Sequence, residues 1–556
     1  MKGSNVGDRR MDELPLTRAA WDKYFRTGWP LFILILVFAA AVRFVDIDDR
    51  SLVQDESTML EFTRGLLKNG YPTLERGSSV LPMATYELVP YFIAPMVMLF
   101  GWTETAVRMP ALIFSLGTLV LIFLAGRAWF STRVALWAAF LYALAPWAIF
   151  WAQNCFYPSQ VQFFSMLSTY LVYDLLKQDQ VPPRHYYLTA LSLCLTYLSW
   201  EASGLIFLVY GLMALWLRWN RWNYLRTWHA WLALALVGVV VIFQLARRAT
   251  IQQIYLSVGS SRAEISSPQL AINQSVFDPY YYLDNVFGSE QFILLGLFFL
   301  LGLFFLRRDW NLKFVYGYVI LVVAVYTGLL AVQAIRYVYV VLPVFLLAVA
   351  AATFYLLDWL NRERGLHRLI SLRILGPIFT LILLAVQGLA VSVNGLNLSE
   401  LRLAYRGSGP WELRPDIYGV DFRYAVRSLI REYQPGDLII ARGPFLLHLY
   451  MGSKGDYALQ EITSSLVVYE PNEDRPYYID KWIGNPVLRN LNELKDVLAS
   501  NQRVWFLATP FGPAKQSLSN ELYNFIRESM VLKDEGQNVR VYLWDKGGSN
   551  GPGAQQ

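Results

Sequence analysis

Trp29-Pro-Leu-Phe-Ile-Leu-Ile-Leu-Val-Phe-Ala-Ala-Ala-Val-Arg-Phe44 is apolar except for Arg43, and Val53-Gln-Asp-Glu-Ser57 follows it closely. The first stretch has the character of a membrane span. Carboxylates held against a bilayer are costly, so the pair Asp55 and Glu56 beside a span asks for a reason. Two readings are open at this point. The pair belongs to a solvated acidic loop, or it is a catalytic or ligand-binding carboxylate at the membrane face.

Composition narrows the class. The chain of 556 residues is 55% hydrophobic and 16% charged, with a mean hydropathy of +0.34. That excludes an ordinary soluble domain. Apolar runs of ~17–25 residues recur, each long enough to cross a hydrocarbon core. The 19 Trp sit mostly near the ends of these runs, where amphipathic rings prefer the interface. The net charge of +6 is spread over short loops and needs no nucleic acid to explain it. The first run has no small-residue cleavage site after it, so it reads as a retained anchor. Cys155 and Cys194 fall in or beside apolar segments and are not expected to form a structural disulfide. His185, His229, His367 and His448 show no metal-ligand spacing, and neither a metal nor a cofactor is expected.

Spans are expected at 29–46, 109–126, 133–151, 159–176, 186–199, 202–217, 228–246, 291–306, 314–332, 337–357 and 371–394, eleven in all. Lys and Arg orient them. The N-terminal segment 1–28 holds Lys2, Arg9, Arg10, Arg18, Lys23 and Arg26 and reads as cytoplasmic. The loops on that side carry Arg127 and Arg133; Lys177 and Arg184; Arg218, Arg221 and Arg226; Arg307, Arg308 and Lys313; and Arg362, Arg364, Arg368 and Arg373. Loops on the opposite side, led by a first outer loop over 47–108, are larger, more acidic or nearly uncharged. Arg247 and Arg248 are the main exception. Segment 82–100 is apolar but holds Pro82, Glu87, Pro90 and Pro95; counting it as a span breaks the charge pattern. It is expected to lie along the outer membrane face as a juxtamembrane helix.

An odd span count puts the C-terminus outside. Residues 395–546 form an expected extracytoplasmic α/β domain. Asp437–Ala441, Val504–Ala508 and Val539–Trp544 read as buried strands, and Leu413–Tyr433 and Ser517–Ser529 as mostly helical. The Gly-rich tail 547–556 is expected to be disordered. The fold class is therefore an α-helical polytopic membrane protein, with a transmembrane domain over 29–394 and this α/β domain after it.

An ordered set of motifs then carries a resemblance. The acidic pair of the first outer loop is followed by the Pro-bearing juxtamembrane segment and by Ala106-Val-Arg-Met-Pro110, which opens a span. Next come Gly126-Arg-Ala-Trp-Phe130, an Ala-rich span running into Pro146, and much later Arg336-Tyr337 with Pro343 beyond. The chain resembles the GT-C fold polyprenyl-phosphate-dependent glycosyltransferases, and is most similar to the protein O-mannosyltransferases and the aminoarabinose transferase of lipid A. The resemblance covers residues ~30–395. It implies Asp55 as the general base, Glu56 as a helper, and Arg108 near the lipid-linked phosphate. The family's second outer loop carries an Arg-containing motif ending in Tyr. Here Gln153-Asn-Cys-Phe-Tyr157 keeps the Tyr, Tyr157, and lacks the Arg. Relatives carry a basic residue beside a Pro-Pro, where this chain has Ser79-Val-Leu-Pro82. Acceptor identity therefore does not transfer.

The chemistry suits these residue types independently. A polyprenyl-phosphate sugar keeps its lipid in the bilayer and its headgroup at the outer face. Transfer to a hydroxyl with inversion needs one base on the acceptor side, and a positioned carboxylate supplies it. The leaving phosphate needs a cation rather than an acid, and the planar fork of Arg binds its oxygens bidentately. Arg108 and Arg336 both fall at expected outer span ends. Arg336-Tyr337 fits either phosphate contact or interfacial anchoring. Glu201 fits either a satisfied structural carboxylate or a wall of the site. Asp278 and Asp284, in an aromatic-rich loop, fit sugar binding or simple packing. Asn273-Gln-Ser275 and Asn397-Leu-Ser399 match the N-glycosylation pattern, a weak signal. The expected function is an inverting glycosyltransferase acting on a hydroxyl acceptor of protein, lipid or glycan. The alternative is a multi-pass secondary transporter. Against it, the acids lie in a loop at the membrane edge, and no pair of broken spans repeats in the two halves.

Overall fold

The computed structural model describes residues 28–45, 47–48, 51–52, 54–76, 79–219, 225–257, 278–287, 292–330, 333–363, 421–442, 444–459, 467–470, 477–480, 484–508, 519–536 and 539–547. The expected span 371–394, the tail beyond Gly547, Asn273 and Asn397 lie outside these residues.

The membrane part runs α1 (Trp29–Phe44), α2 (Gln54–Asn69), β1 (Thr73–Arg76), β2 (Ser79–Pro82), α3 (Leu88–Phe100), α4 (Glu104–Trp129), α5 (Thr132–Leu144), α6 (Pro146–Ala152), α7 (Pro158–Lys177), α8 (Pro183–Ser199), α9 (Leu205–Arg218), α10 (Trp228–Ser257), α11 (Ile293–Gly302), α12 (Trp310–Leu329) and α13 (Leu342–Glu363). Short 3₁₀ turns, Glu201–Gly204 and Ile335–Val341, lead into α9 and α13. Among the described residues, five helices are long and apolar enough to cross a membrane, or six if the bent pair α5–α6 is one span. The expected eleven are thus not all long apolar helices. Helix α7 shows why: its Gln162 donates to the Tyr339 carbonyl at 2.7 Å, and Ser165 and Thr169 bond the hydroxyls of Tyr318 and Tyr210. Such polar contacts bind helices together inside a bundle, and they lower the hydropathy of a buried helix.

Arg43, the single break in the first apolar run, has a structural explanation. Its guanidinium is fully buried and donates to the carbonyls of Tyr142 and Ala143 at 3.0 Å each, and to Ser115 Oγ at 3.0 Å. Pro146 has no N–H to offer the Tyr142 carbonyl. The chain bends there by 62°, and Arg43 adds its donors alongside the Ala145 N–H, which reaches the Tyr142 carbonyl at 3.3 Å.

Between α1 and α4 the described residues form regular elements. The acidic pair sits in the first turn of α2 rather than in an open loop, where negative charge favours the helix N-terminus and Lys68 complements the other end. Gly70 ends α2 in the left-handed region at φ 76°, with its N–H on the Leu66 carbonyl. At Gly65 a Cβ would lie 2.0 Å from the Thr73 carbonyl oxygen, so only glycine lets the antiparallel β1–β2 hairpin pack this closely on α2. The expected helix over 82–100 begins only at Leu88, because Pro82 closes β2. Helix α10 runs past the expected span end at 246. It carries Arg247 onto the hairpin, where Arg247 meets Glu87 at 2.8 Å and donates to Tyr71 and the Met83 carbonyl. Glu87 and these partners answer the exception in the charge pattern.

The C-terminal part contains α14 (Phe422–Glu432), β3 (Leu438–Ala441), α15 (Pro444–Met451), β4 (Tyr457–Leu459), β5 (Val467–Glu470), β6 (Tyr477–Asp480), β7 (Val487–Leu488), α16 (Leu491–Ser500), β8 (Arg503–Ala508), α17 (Asn520–Ser529), β9 (Val531–Gly536) and β10 (Val539–Asp545). Six strands form one sheet in the order β7-β4-β3-β8-β10-β9. The strands from β7 to β8 are parallel, and β10 is antiparallel to β8 and β9. The three strands read from sequence are the adjacent β3, β8 and β10. The two helices expected there begin, among the described residues, at Phe422 and Asn520.

This sheet domain is docked onto α2. His448 in α15 meets Glu61 at 2.9 Å, and Arg64 holds the same carboxylate at 2.8 Å. Ser51 donates to Asp421 at 2.7 Å, and the Leu52 N–H donates to the Tyr450 hydroxyl at 2.9 Å. Tyr450 and Arg423 both reach Glu104 at the start of α4. The sheet domain thereby fixes the element that carries Asp55.

Candidate active site

Asp55 and Glu56 are neighbours on α2 but face different surroundings. Glu56 is fully buried. Its Oε1 accepts from Arg108 Nε at 2.8 Å and from the Cys155 N–H at 3.0 Å, and its Oε2 accepts from Arg108 Nη2 at 2.9 Å. Arg108 also donates to the Ile47 carbonyl at 2.7 Å and to the Ser51 carbonyl at 3.4 Å. This is a buried bidentate pair. It ties α2 to the start of α4 and to the loop 153–157. The sequence reading put Arg108 beside a lipid phosphate; the structure turns it inward onto Glu56, with 0% of its surface exposed.

Asp55 is the accessible member of the pair. Its side chain is 38% exposed, and its Oδ2 lies 3.2 Å from Arg336 Nη1. Arg336 comes from the 3₁₀ turn before α13, and its guanidinium lies 5.8 Å from the ring centres of both Phe156 and Tyr337. Rings flanking a cation restrict where it can move. Asp55 and Arg336, given in the sequence analysis as the expected base and a candidate phosphate contact, therefore meet.

An aromatic wall adjoins the pair. Tyr86 stacks on Tyr157 at 4.5 Å with the rings 8° from parallel. Tyr157 stacks on Trp200 at 5.3 Å, and Trp200 on Tyr337 at 4.8 Å. The Tyr86 hydroxyl is within electrostatic reach of Tyr337, Arg336, Glu201 and Asp55, and burial pushes its ionisation well above the usual tyrosine range. The segments around Tyr86, Tyr157 and Trp200 and the turn before α13 thus converge. Gln153 anchors the second of them by donating to the carbonyls of Arg43 and Val45.

Glu201 opens the 3₁₀ turn after Trp200 and so stands beside the wall. Asp278 is exposed and accepts from the Tyr280 N–H at 2.9 Å, and Asp284 lies in a short π-helical turn. Among the described residues no group of three His, Cys, Asp or Glu has the arrangement of a metal site.

Two residues escaped the sequence reading. Tyr86 is the one non-glycine residue with positive φ, at 59°, among the described residues. A tyrosine gives no sequence sign of that conformation. Trp200 is the other, and an interfacial Trp between two spans is the sequence signal that could have found it.

Comparison with known proteins agrees with this architecture. The family model described as dolichyl-phosphate-mannose-protein mannosyltransferase matches residues 87–246, a range that includes Arg108, Tyr157 and Glu201. The structure of ArnT from Cupriavidus metallidurans in the apo state is similar over 93% of this chain and 98% of that one, with a TM-score of 0.63 and 14% identity. ArnT from the same organism bound to undecaprenyl phosphate gives a TM-score of 0.62 at 14% identity, with the same coverage. The Archaeoglobus fulgidus oligosaccharyltransferase AglB, in complex with an inhibitory peptide and a dolichol-phosphate, covers 87% of this chain and 70% of its own, at 12% identity and a TM-score of 0.51. Among curated proteins no sequence matches the chain. The fold is that of the GT-C glycosyltransferases.

Proposed function

We propose that this membrane glycosyltransferase of GT-C fold transfers a sugar, with inversion, from a polyprenyl-phosphate donor to a hydroxyl acceptor at the outer membrane face. The observation that carries the reading is the Asp55–Arg336 pair, an accessible carboxylate and a ring-flanked guanidinium 3.2 Å apart beside an aromatic wall. Asp55 takes the proton of the acceptor hydroxyl as its oxygen attacks the anomeric carbon. The bond from that carbon to the phosphate oxygen breaks, and the charge gathering on the phosphate is met by Arg336. The base contributes ~10²–10⁴-fold, and a cation aimed at the developing charge adds to it. Tyr86, the partly exposed end of the stack, supplies a face on which a sugar ring packs, and the buried Tyr157, Trp200 and Tyr337 hold it in place. Glu56 and Arg108 act at one remove, by holding the first turn of α2. The matched family model and folds are those of sugar transferases, which favours this reading over a transporter.

Arg336 is the residue to test for the donor. Arg336→Ala should raise the KM for lipid donor by about 10–100-fold, the scale of one charge-assisted contact. Arg336→Lys should recover only part of this, because a point charge replaces a planar fork. Purified enzyme assayed against graded lipid donor checks it; an unchanged KM in Arg336→Ala removes the residue from the phosphate.

Sidedness has its own test. We assign α2 and the sheet domain to the extracytoplasmic face, opposite the basic loops. Single cysteines at Asn69 and Arg431, both exposed, in a Cys194→Ser background should react with an impermeant thiol reagent in intact cells. A cysteine at Gln178 should react only after permeabilisation. Reversal of this pattern would invert the topology.

A further inference from the structure

Beside the Asp55–Arg336 pair lies a second polar group that the transfer step does not use. Glu201 Oε2 and Arg248 Nη2 are each buried with no hydrogen-bond partner among the described residues. The two side chains feel each other electrostatically, and Arg247 and Glu87 complete the charges around Glu201. Yet they do not approach within ion-pair distance, whereas Arg247 and Glu87 do. Glu201 borders the aromatic wall through Trp200, and the Tyr86 hydroxyl is within reach of both Glu201 and Asp55. Leaving a buried charged oxygen and a guanidinium nitrogen unmatched costs more than leaving a neutral group so. A carboxylate that accepts and a guanidinium that donates, held apart next to stacked rings, match groups that both donate and accept.

The charges here also cancel. Glu87 and Glu201 face Arg247 and Arg248, and Asp55 faces Arg336. An ammonium on the sugar drawn to Glu201 would still be opposed by the nearby Arg248, and a carboxylate drawn to Arg248 would be opposed by Glu201. Like-charge approach in a buried site penalises both.

We infer that Glu201 and Arg248 form the specificity subsite for a neutral, polyhydroxylated donor sugar, with Glu201 accepting from one ring hydroxyl and Arg248 donating to another. The inference rests on the transfer reading above and goes beyond it by assigning the charge class of the sugar and a role to Arg248.

The test uses the full chain in proteoliposomes and three polyprenyl-phosphate donors: a neutral hexose, its 4-amino-4-deoxy counterpart, and its uronic acid. The neutral donor should be used with a kcat/KM at least about 10-fold above either charged one. Glu201→Gln, which keeps size and shape, should raise the KM for the neutral donor by about 10-fold with kcat within about twofold, and Arg248→Gln should do likewise. Each change should also relax discrimination in its own direction, Glu201→Gln towards the uronic donor and Arg248→Gln towards the amino donor. Preference of the unaltered protein for a charged donor overturns the subsite while leaving glycosyl transfer standing. So does an unchanged donor KM in both variants. Absence of transfer from all three donors overturns the transfer reading itself and the subsite with it.

Discussion

Asp55→Asn should lower turnover by about 10²–10⁴-fold, roughly 3–5 kcal/mol in the barrier, with lipid-donor binding near that of the unaltered enzyme. The amide keeps the size and shape of the carboxylate and still accepts a hydrogen bond from Arg336, so the pair at 3.2 Å keeps one of its two elements. What it loses is the ability to take a proton from a hydroxyl. A purified transfer assay with a defined lipid donor reads the turnover, and donor titration reads the binding. If Asp55→Asn turns over normally, the catalytic reading of α2 fails. If turnover falls only in step with donor affinity, Asp55 holds Arg336 and is not the base.

Arg108→Ala should act on the fold. It leaves Glu56, which is 0% exposed, charged and without its bidentate partner. Breaking such a buried pair from one side costs about 3–5 kcal/mol. Arg108→Lys should recover a fraction, since one ammonium cannot serve both carboxylate oxygens and the Ile47 carbonyl in the same plane. The double change Glu56→Gln with Arg108→Met should cost less than the two single changes added together, because it leaves no unpaired buried charge. Thermal unfolding in detergent measures all five variants. Unaltered stability of Arg108→Ala together with a raised donor KM would return Arg108 to the phosphate.

Arg108 illustrates what sequence could and could not tell. An arginine at the mouth of a span pairs with a phosphate or with a buried carboxylate, and nothing in Ala106–Pro110 separates the two. The partner, Glu56, lies across a loop that only the fold closes. The acidic pair stood out in the sequence because two acids beside an apolar run are costly without a purpose. Their place in the first turn of a helix was less so, since Val53 and Gln54 give no helix-capping signal. Arg43 was visible as an anomaly, and its explanation needed Pro146 from another helix. In the sheet domain, β3, β8 and β10 announced themselves as continuous apolar runs. Strand β9, Val531–Gly536, is polar and mostly exposed along the sheet edge, where no face has to be apolar, so the strand pattern is lost. Tyr86 left no trace at all, because a left-handed backbone is a property of what surrounds a residue.

That backbone sets opposing demands on one position. The left-handed conformation at φ 59° costs a residue with a Cβ about 1–2 kcal/mol that glycine would be spared. The ring stacked on Tyr157 is what glycine cannot provide. Selection for robustness and selection for a working cleft therefore pull the codon in different directions. Among descendants of this sequence, the residue here records which of the two pressures prevailed.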